Sequence, residues 1–198
     1  MVRPGPEFRP GAVGWRVTRR AVLAALLGGS VVSAAAAAVV DEVSAMALCL
    51  LRIGQFAAWP ASAFEGAADP VVVAAVGREP FGSKLDDMFR GERLKERTFV
   101  IRRFEADRDP GGCHLMLLGE MDRSRRRELL RGVAGRPVLT VSLGEGFCED
   151  GGMIRLSVTQ GRVQILIRRD VVQGARLALD SRLLNLSVVR IYGEPERP

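Results

Sequence analysis

Cys113 and His114 are adjacent, and a thiol beside an imidazole is the pair used by nucleophilic enzymes. A strand turns neighbouring side chains to opposite faces, so two consecutive residues there cannot form a hydrogen-bonded nucleophile and base. His114 is the only histidine in the chain. With no C-x-x-C or H-x-x-x-H spacing, the residues do not assemble a zinc ligand set. Glu149-Asp150, inside a glycine-rich loop, offers two carboxylates to a hard cation, but two adjacent acids make a weak ligand set. Gly77–Gly82 is a glycine-bracketed turn after an apolar run, where backbone N–H groups could hold an anion. It lacks phosphate-loop spacing, and Pro80 removes a donor. Arg123-Ser124-Arg125-Arg126-Arg127 is the densest basic run, expected as the solvated face of a helix. No G-x-S-x-G occurs. The residues therefore predict no catalytic centre, no metal and no cofactor.

Cys49, Cys113 and Cys148 are the three cysteines. An odd number permits at most one internal bridge. Cys113 stands at the start of one expected strand, and Cys148 follows the end of the next. If the two strands are parallel, about five residues at ~3.3 Å each put the thiols at opposite edges of the sheet, ~16 Å apart. A disulfide needs Cα atoms within about 7 Å, so Cys113–Cys148 is not expected. A Cys49–Cys148 bridge or none remains.

Positioning these residues requires a domain, and the first segment does not belong to it. Residues 1–20 carry five arginines and one acid, and residues 21–32 carry no charge. Small residues follow at 33–38. This order is that of a cleaved secretory signal, with an apolar core shorter than the roughly 20 residues of a spanning helix. Arg19-Arg20 fits the twin-arginine type, and an ordinary Sec signal fits as well. The expected organisation is a signal over 1–38, one domain over 39–190 and a flexible tail over 191–198, with the protein exported to the periplasm.

Five of the 29 basic residues and one of the 23 acidic residues fall in residues 1–38, so the remainder carries a net charge of +2. That balance argues against a nucleic-acid partner, despite a whole-chain isoelectric point near 10.2.

Apolar positions at three- and four-residue steps predict a helix over 41–58, ended by Trp59-Pro60. Val71–Val76, Thr98–Phe104, Cys113–Leu118 and Val138–Ser142 read as strands, with helices over Ser83–Phe89 and Asp122–Ala134. Ile154–Val158 and Val163–Ile167 alternate around Gln160-Gly161 as a hairpin. A helical turn over Asp170–Gly174, an extended piece over Arg176–Leu179 and a last helix from Ser181 to about Val189 complete the chain. Helices alternating with strands predict an α/β domain: a mixed sheet of about six strands with flanking helices, ending in a hairpin plus helix.

Several strings in this order resemble the YfiR family of exported bacterial proteins. They are Phe56-Ala57-Ala58-Trp59-Pro60, Gly77 with Pro80-Phe81-Gly82, Cys113-His114, Leu139-Thr140-Val141-Ser142, Gly146-Phe147, Gly151-Gly152-Met153-Ile154 and Ser181-Arg182-Leu183-Leu184. Two positions depart from the family pattern: Leu143 stands where an acid is usual, and Arg168 where an asparagine is usual. The resemblance implies a periplasmic, non-enzymatic regulator that restrains an inner-membrane diguanylate cyclase through its periplasmic sensor domain, and so acts on biofilm formation. It also implies homodimers and disulfides, which family members often have. The exposed hairpin edge, with Gly146, Phe147, Glu149 and Asp150 of the neighbouring loop, is the expected docking surface. A small-ligand or redox sensor, with its ligand beside Gly77–Gly82, is the rival reading.

Overall fold

The computed structural model describes residues 42–193. The signal segment, Asp41 at the start of the first expected helix and residues 194–198 lie outside the described residues. Helix α1 covers residues 42–56, packing Met46, Ala47, Leu50, Leu51 and Ile53 inward on one stripe. It stops short of the predicted end, because Ala57–Ala58 leave the helix as strand β1. They pair with β9 (Ala178–Leu179) in a two-stranded antiparallel ribbon. Trp59 precedes a proline and favours extended backbone, which carries the chain out of the helix. A 3-10 turn follows at Ala61–Ala63.

The main sheet has eight strands. In chain order these are β2 (Val71–Val76), β3 (Arg93–Leu94), β4 (Arg97–Phe104), β5 (Leu115–Leu118), β6 (Leu139–Ser142), β7 (Ile154–Thr159), β8 (Arg162–Ile167) and β10 (Val189–Ile191). Across the sheet they stand β10-β8-β7-β6-β5-β2-β4-β3. Strands β4, β2, β5, β6 and β7 run parallel. The hairpin β7–β8 is antiparallel, and β10 joins β8 in parallel. The fold is thus the expected mixed α/β sheet, with two short edge strands added to the six. Gln160 and Gly161 both have positive φ (52° and 69°) and form the two-residue loop of the hairpin.

Both sheet faces are covered. Helix α1, α2 (Ser83–Phe89), α4 (Arg169–Gly174) and α5 (Ser181–Leu184) contribute Leu50, Leu85, Val172 and Leu183 to the larger core. Helix α3 (Arg123–Gly132) covers the other face with Leu129 and Leu130, against Val72, Ala74, Met116 and Phe147. This two-sided burial explains why β2 and β5 are apolar throughout rather than alternating.

The C-terminal reading needs correction. The last helix ends at Leu184 instead of near Val189, and the β-branched run Val188-Val189 enters β10. Because β10 pairs with Ile165–Ile167, only Arg162, Val163 and Gln164 of β8 keep an edge without a strand partner. The expected docking edge is reduced to that stretch.

Candidate functional site

The motif strings separated in sequence meet in space. Trp59 donates its indole N–H to the carbonyl oxygen of His114 at 3.1 Å. The His114 ring then ties two more backbone groups: Val72 N–H donates to Nδ1 at 3.0 Å, and Nε2 lies 2.9 Å from the carbonyl of Ala63. An accepting Nδ1 leaves the proton on Nε2, which donates to Ala63. Phe64 stacks on the imidazole with centroids 4.4 Å apart, and the Arg97 guanidinium sits 3.7 Å over the Phe64 ring. Arg97 also donates to the carbonyls of Gly66 and Asp69. Burial lowers the His114 pKa, the Ala63 hydrogen bond opposes that, and the Arg97 charge adds to the lowering.

This assembly removes the catalytic reading by a second route. The lone pair of Nδ1 is occupied by Val72, so His114 has no free base for Cys113. Burial pushes the Cys113 thiol up to about 11, the reverse of a reactive cysteine. Pro60, with extended backbone (φ −63°, ψ 152°), starts the turn that brings Ala63 and Phe64 onto His114.

At the carboxyl ends of the strands, the Gly77–Gly82 turn binds an anion of its own. The Glu79 carboxylate accepts from Phe81 N–H at 2.5 Å and Gly82 N–H at 3.1 Å, and Arg103 approaches it at 3.4 Å. The donors expected for a ligand are therefore occupied. Phe81 is buried beneath the turn, Pro80 is exposed, and Gly82 (φ 53°) opens α2. Arg103 also forks onto Asp86 and donates to the Gly82 carbonyl, tying β4 to this turn.

The loop over 143–152 differs most from expectation. Phe147 is fully buried, and Gly152 must be glycine because an added β-carbon would stand 2.2 Å from its ring. Gly151 (φ 104°) and Gly146 (φ 68°) turn the chain around it. The Asp150 side chain is also fully buried, and Arg123, Arg126 and Arg127 all converge on it. Desolvation opposes its ionisation, but hydrogen bonds from Arg126, Arg123 and Arg127 outweigh it and hold the pKa at about 2. Phe147 and Asp150 thus cannot contact a docking partner, and Asp150 is committed to arginines rather than a cation. Within the arginine run Arg123, Ser124 and Arg127 are exposed as expected of a solvated face, whereas Arg126 is only 9 % exposed. Gly146 is half-buried, and Glu145 and Glu149 are the exposed acids of the loop.

Arg168 continues the same tie. It donates to the carbonyl of Cys148 at 3.0 Å and pairs with Asp170. Cys148 is buried, its thiol pushed up to about 11 by burial, and all three cysteines are free thiols. The parallel pairing of β5 and β6 agrees with the placement of Cys113 and Cys148 at opposite ends of these strands.

Two clefts remain. One of about 820 Å³ lies along the β1–β9 ribbon and the β3–β4 turn, with Trp59, Phe64, Arg93, Arg97 and Arg182 among its walls. The other, of about 450 Å³, lies between the Gly77–Gly82 turn and the ends of β5 and β6. The rival sequence reading placed a ligand beside this turn, but the other walls of the cleft, from β5, α3 and the loop after β6, could not be read from the sequence.

The fold and its motifs define an α/β domain whose distinctive residues clamp loops and assemble no catalytic dyad. Comparison with known families gives the more specific result: the model of YfiR/HmsC-like proteins matches residues 44–188. The chain belongs to that family, a family of regulators of diguanylate cyclases in general. A search of curated proteins finds no match to the chain.

Proposed function

We propose that the protein is a periplasmic regulator that restrains one inner-membrane diguanylate cyclase by binding that enzyme's periplasmic sensor domain. The observation carrying this reading is the family match over residues 44–188, which spans nearly all the described elements. The basic, apolar and small-residue order of residues 1–38 supports export, the condition for meeting such a partner.

Restraint by binding is a population shift, so removing the protein releases the cyclase towards its active state. Deletion of the gene is expected to raise cellular cyclic-di-GMP and biofilm, with complementation restoring both. An unchanged level in cells expressing a cyclase encoded next door would reject the reading. With Phe147 and Asp150 buried, the loop can offer a partner Glu145 and Glu149. Charge reversal at both is expected to weaken capture of the cyclase's periplasmic domain.

A further inference from the structure

The 450 Å³ crevice sits where the winding of the sheet reverses. From β2 the chain moves through α2 to β4 on one side. It then crosses to β5 on the other side and continues through α3 to β6. Loops leaving β2 and β5 diverge at this point, and open α/β sheets take ligands in the resulting gap.

Its walls have a definite chemistry. Pro80, Leu118, Met121 and Leu143 make an apolar side, and Arg78 and Arg126 bring cations. Arg126 spends Nε and Nη2 on Asp150, whereas Nη1 makes no hydrogen bond among the described residues. Nη1 lies beside Gly144, where an added β-carbon would come within 3.0 Å of it. Three guanidinium groups share the one Asp150 carboxylate, so this cluster keeps an excess of positive charge. Two acids, Glu79 and Glu120, also line the crevice. Glu79 is committed to two backbone N–H groups and Arg103, and Glu120 is exposed.

We propose that this crevice binds a small monocarboxylate with an apolar body, its carboxylate on Arg126 Nη1 and its body along Pro80, Met121 and Leu143. A guanidinium N–H suits a carboxylate oxygen, and the apolar wall favours a hydrocarbon chain over a fully hydrated ion. Binding here is a property of the protein alone and does not rest on the cyclase reading.

Calorimetric titration of the purified protein tests it, with hexanoate as probe and hexan-1-ol and inorganic phosphate as controls. Saturable hexanoate binding is expected, at least 10-fold tighter than either control. Gly144→Ala crowds Nη1 without removing a charge and is expected to weaken hexanoate at least 10-fold. Arg126→Gln should abolish binding. Because that change also disturbs Asp150, Met121→Asp, on the apolar wall, serves as the second variant, and thermal unfolding verifies that each variant is folded. No saturable hexanoate binding overturns the proposal, as does equal binding of hexan-1-ol or phosphate. Unchanged affinity in both Gly144→Ala and Met121→Asp overturns it as well. A cyclic-di-GMP phenotype that failed to appear would bear on the regulatory reading and leave this result standing.

Discussion

Trp59 and His114, 55 positions apart, are joined by an indole N–H donated to a backbone carbonyl at 3.1 Å. That bond, with the two made by the imidazole, fastens the segment after α1 to the start of β5. His114→Ala deletes two of the bonds and leaves Val72 N–H without its acceptor. A buried donor left unpaired costs about 1–3 kcal/mol. Urea unfolding should show a loss in that range, and Trp59→Phe, which keeps the ring, a smaller one.

The same histidine sets a pH dependence. Burial holds its folded pKa below the ordinary histidine value of about 6.5, so the unfolded chain binds the proton more readily. Stability is therefore full above about pH 6.5 and falls as the pH drops below it, until the folded form also protonates. With one histidine in the chain, His114→Gln should flatten the stability profile between pH 5 and 7. A slope that persists unchanged in that variant would remove His114 as its source.

Asp150 carries the same sign of pH dependence, but its window lies far below neutrality. Its pKa of about 2, well below the ordinary aspartate range, means that the arginine cluster is intact at any ordinary pH. The stabilisation is present above about pH 4 and is lost as the pH falls through 2. Asp150→Asn removes the charge while keeping the shape. A cost of about 2 kcal/mol is expected, between that of an exposed ion pair and that of a fully buried one.

Gly152→Ala places a β-carbon 2.2 Å from the Phe147 ring, a contact no side-chain adjustment inside a packed core relieves cheaply. Overpacking of this kind costs about 1–3 kcal/mol or more. In a Phe147→Leu background the same change should cost less, and a double-mutant cycle measures the difference. Additive costs would show that ring and glycine do not oppose each other.

Peptide mapping without reductant should find no Cys113–Cys148 cross-link. The first thiol precedes β5 and the second follows β6, and these strands run in parallel. Native-state labelling should reach Cys49 first, since it alone is not buried.

Local pattern was enough for most of the elements. The apolar runs of β2 and β5, the alternation of β7 and β8, and the periodicity of α1 and α3 each reflect a pattern that the sequence carries directly. The sequence leaves Asp180 or Ser181 to cap α5, and Asp180 does so by accepting from Arg182 N–H two residues on.

The sequence by itself determined an α/β domain, its strand-and-helix order and its resemblance to one family. Tertiary structure alone decided what the polar motif residues do. Phe147 and Asp150 read as loop residues, yet one fills the core under α3 and the other neutralises guanidiniums more than 20 positions away. Residues 188–191 read partly as helix because their strand exists only by pairing with β8. The crevice between β2, β5 and β6 has walls from four segments that become neighbours only after the sheet forms. Periodicity reports which way a side chain points along its own element. Which distant group it meets depends on the order in which the strands pair.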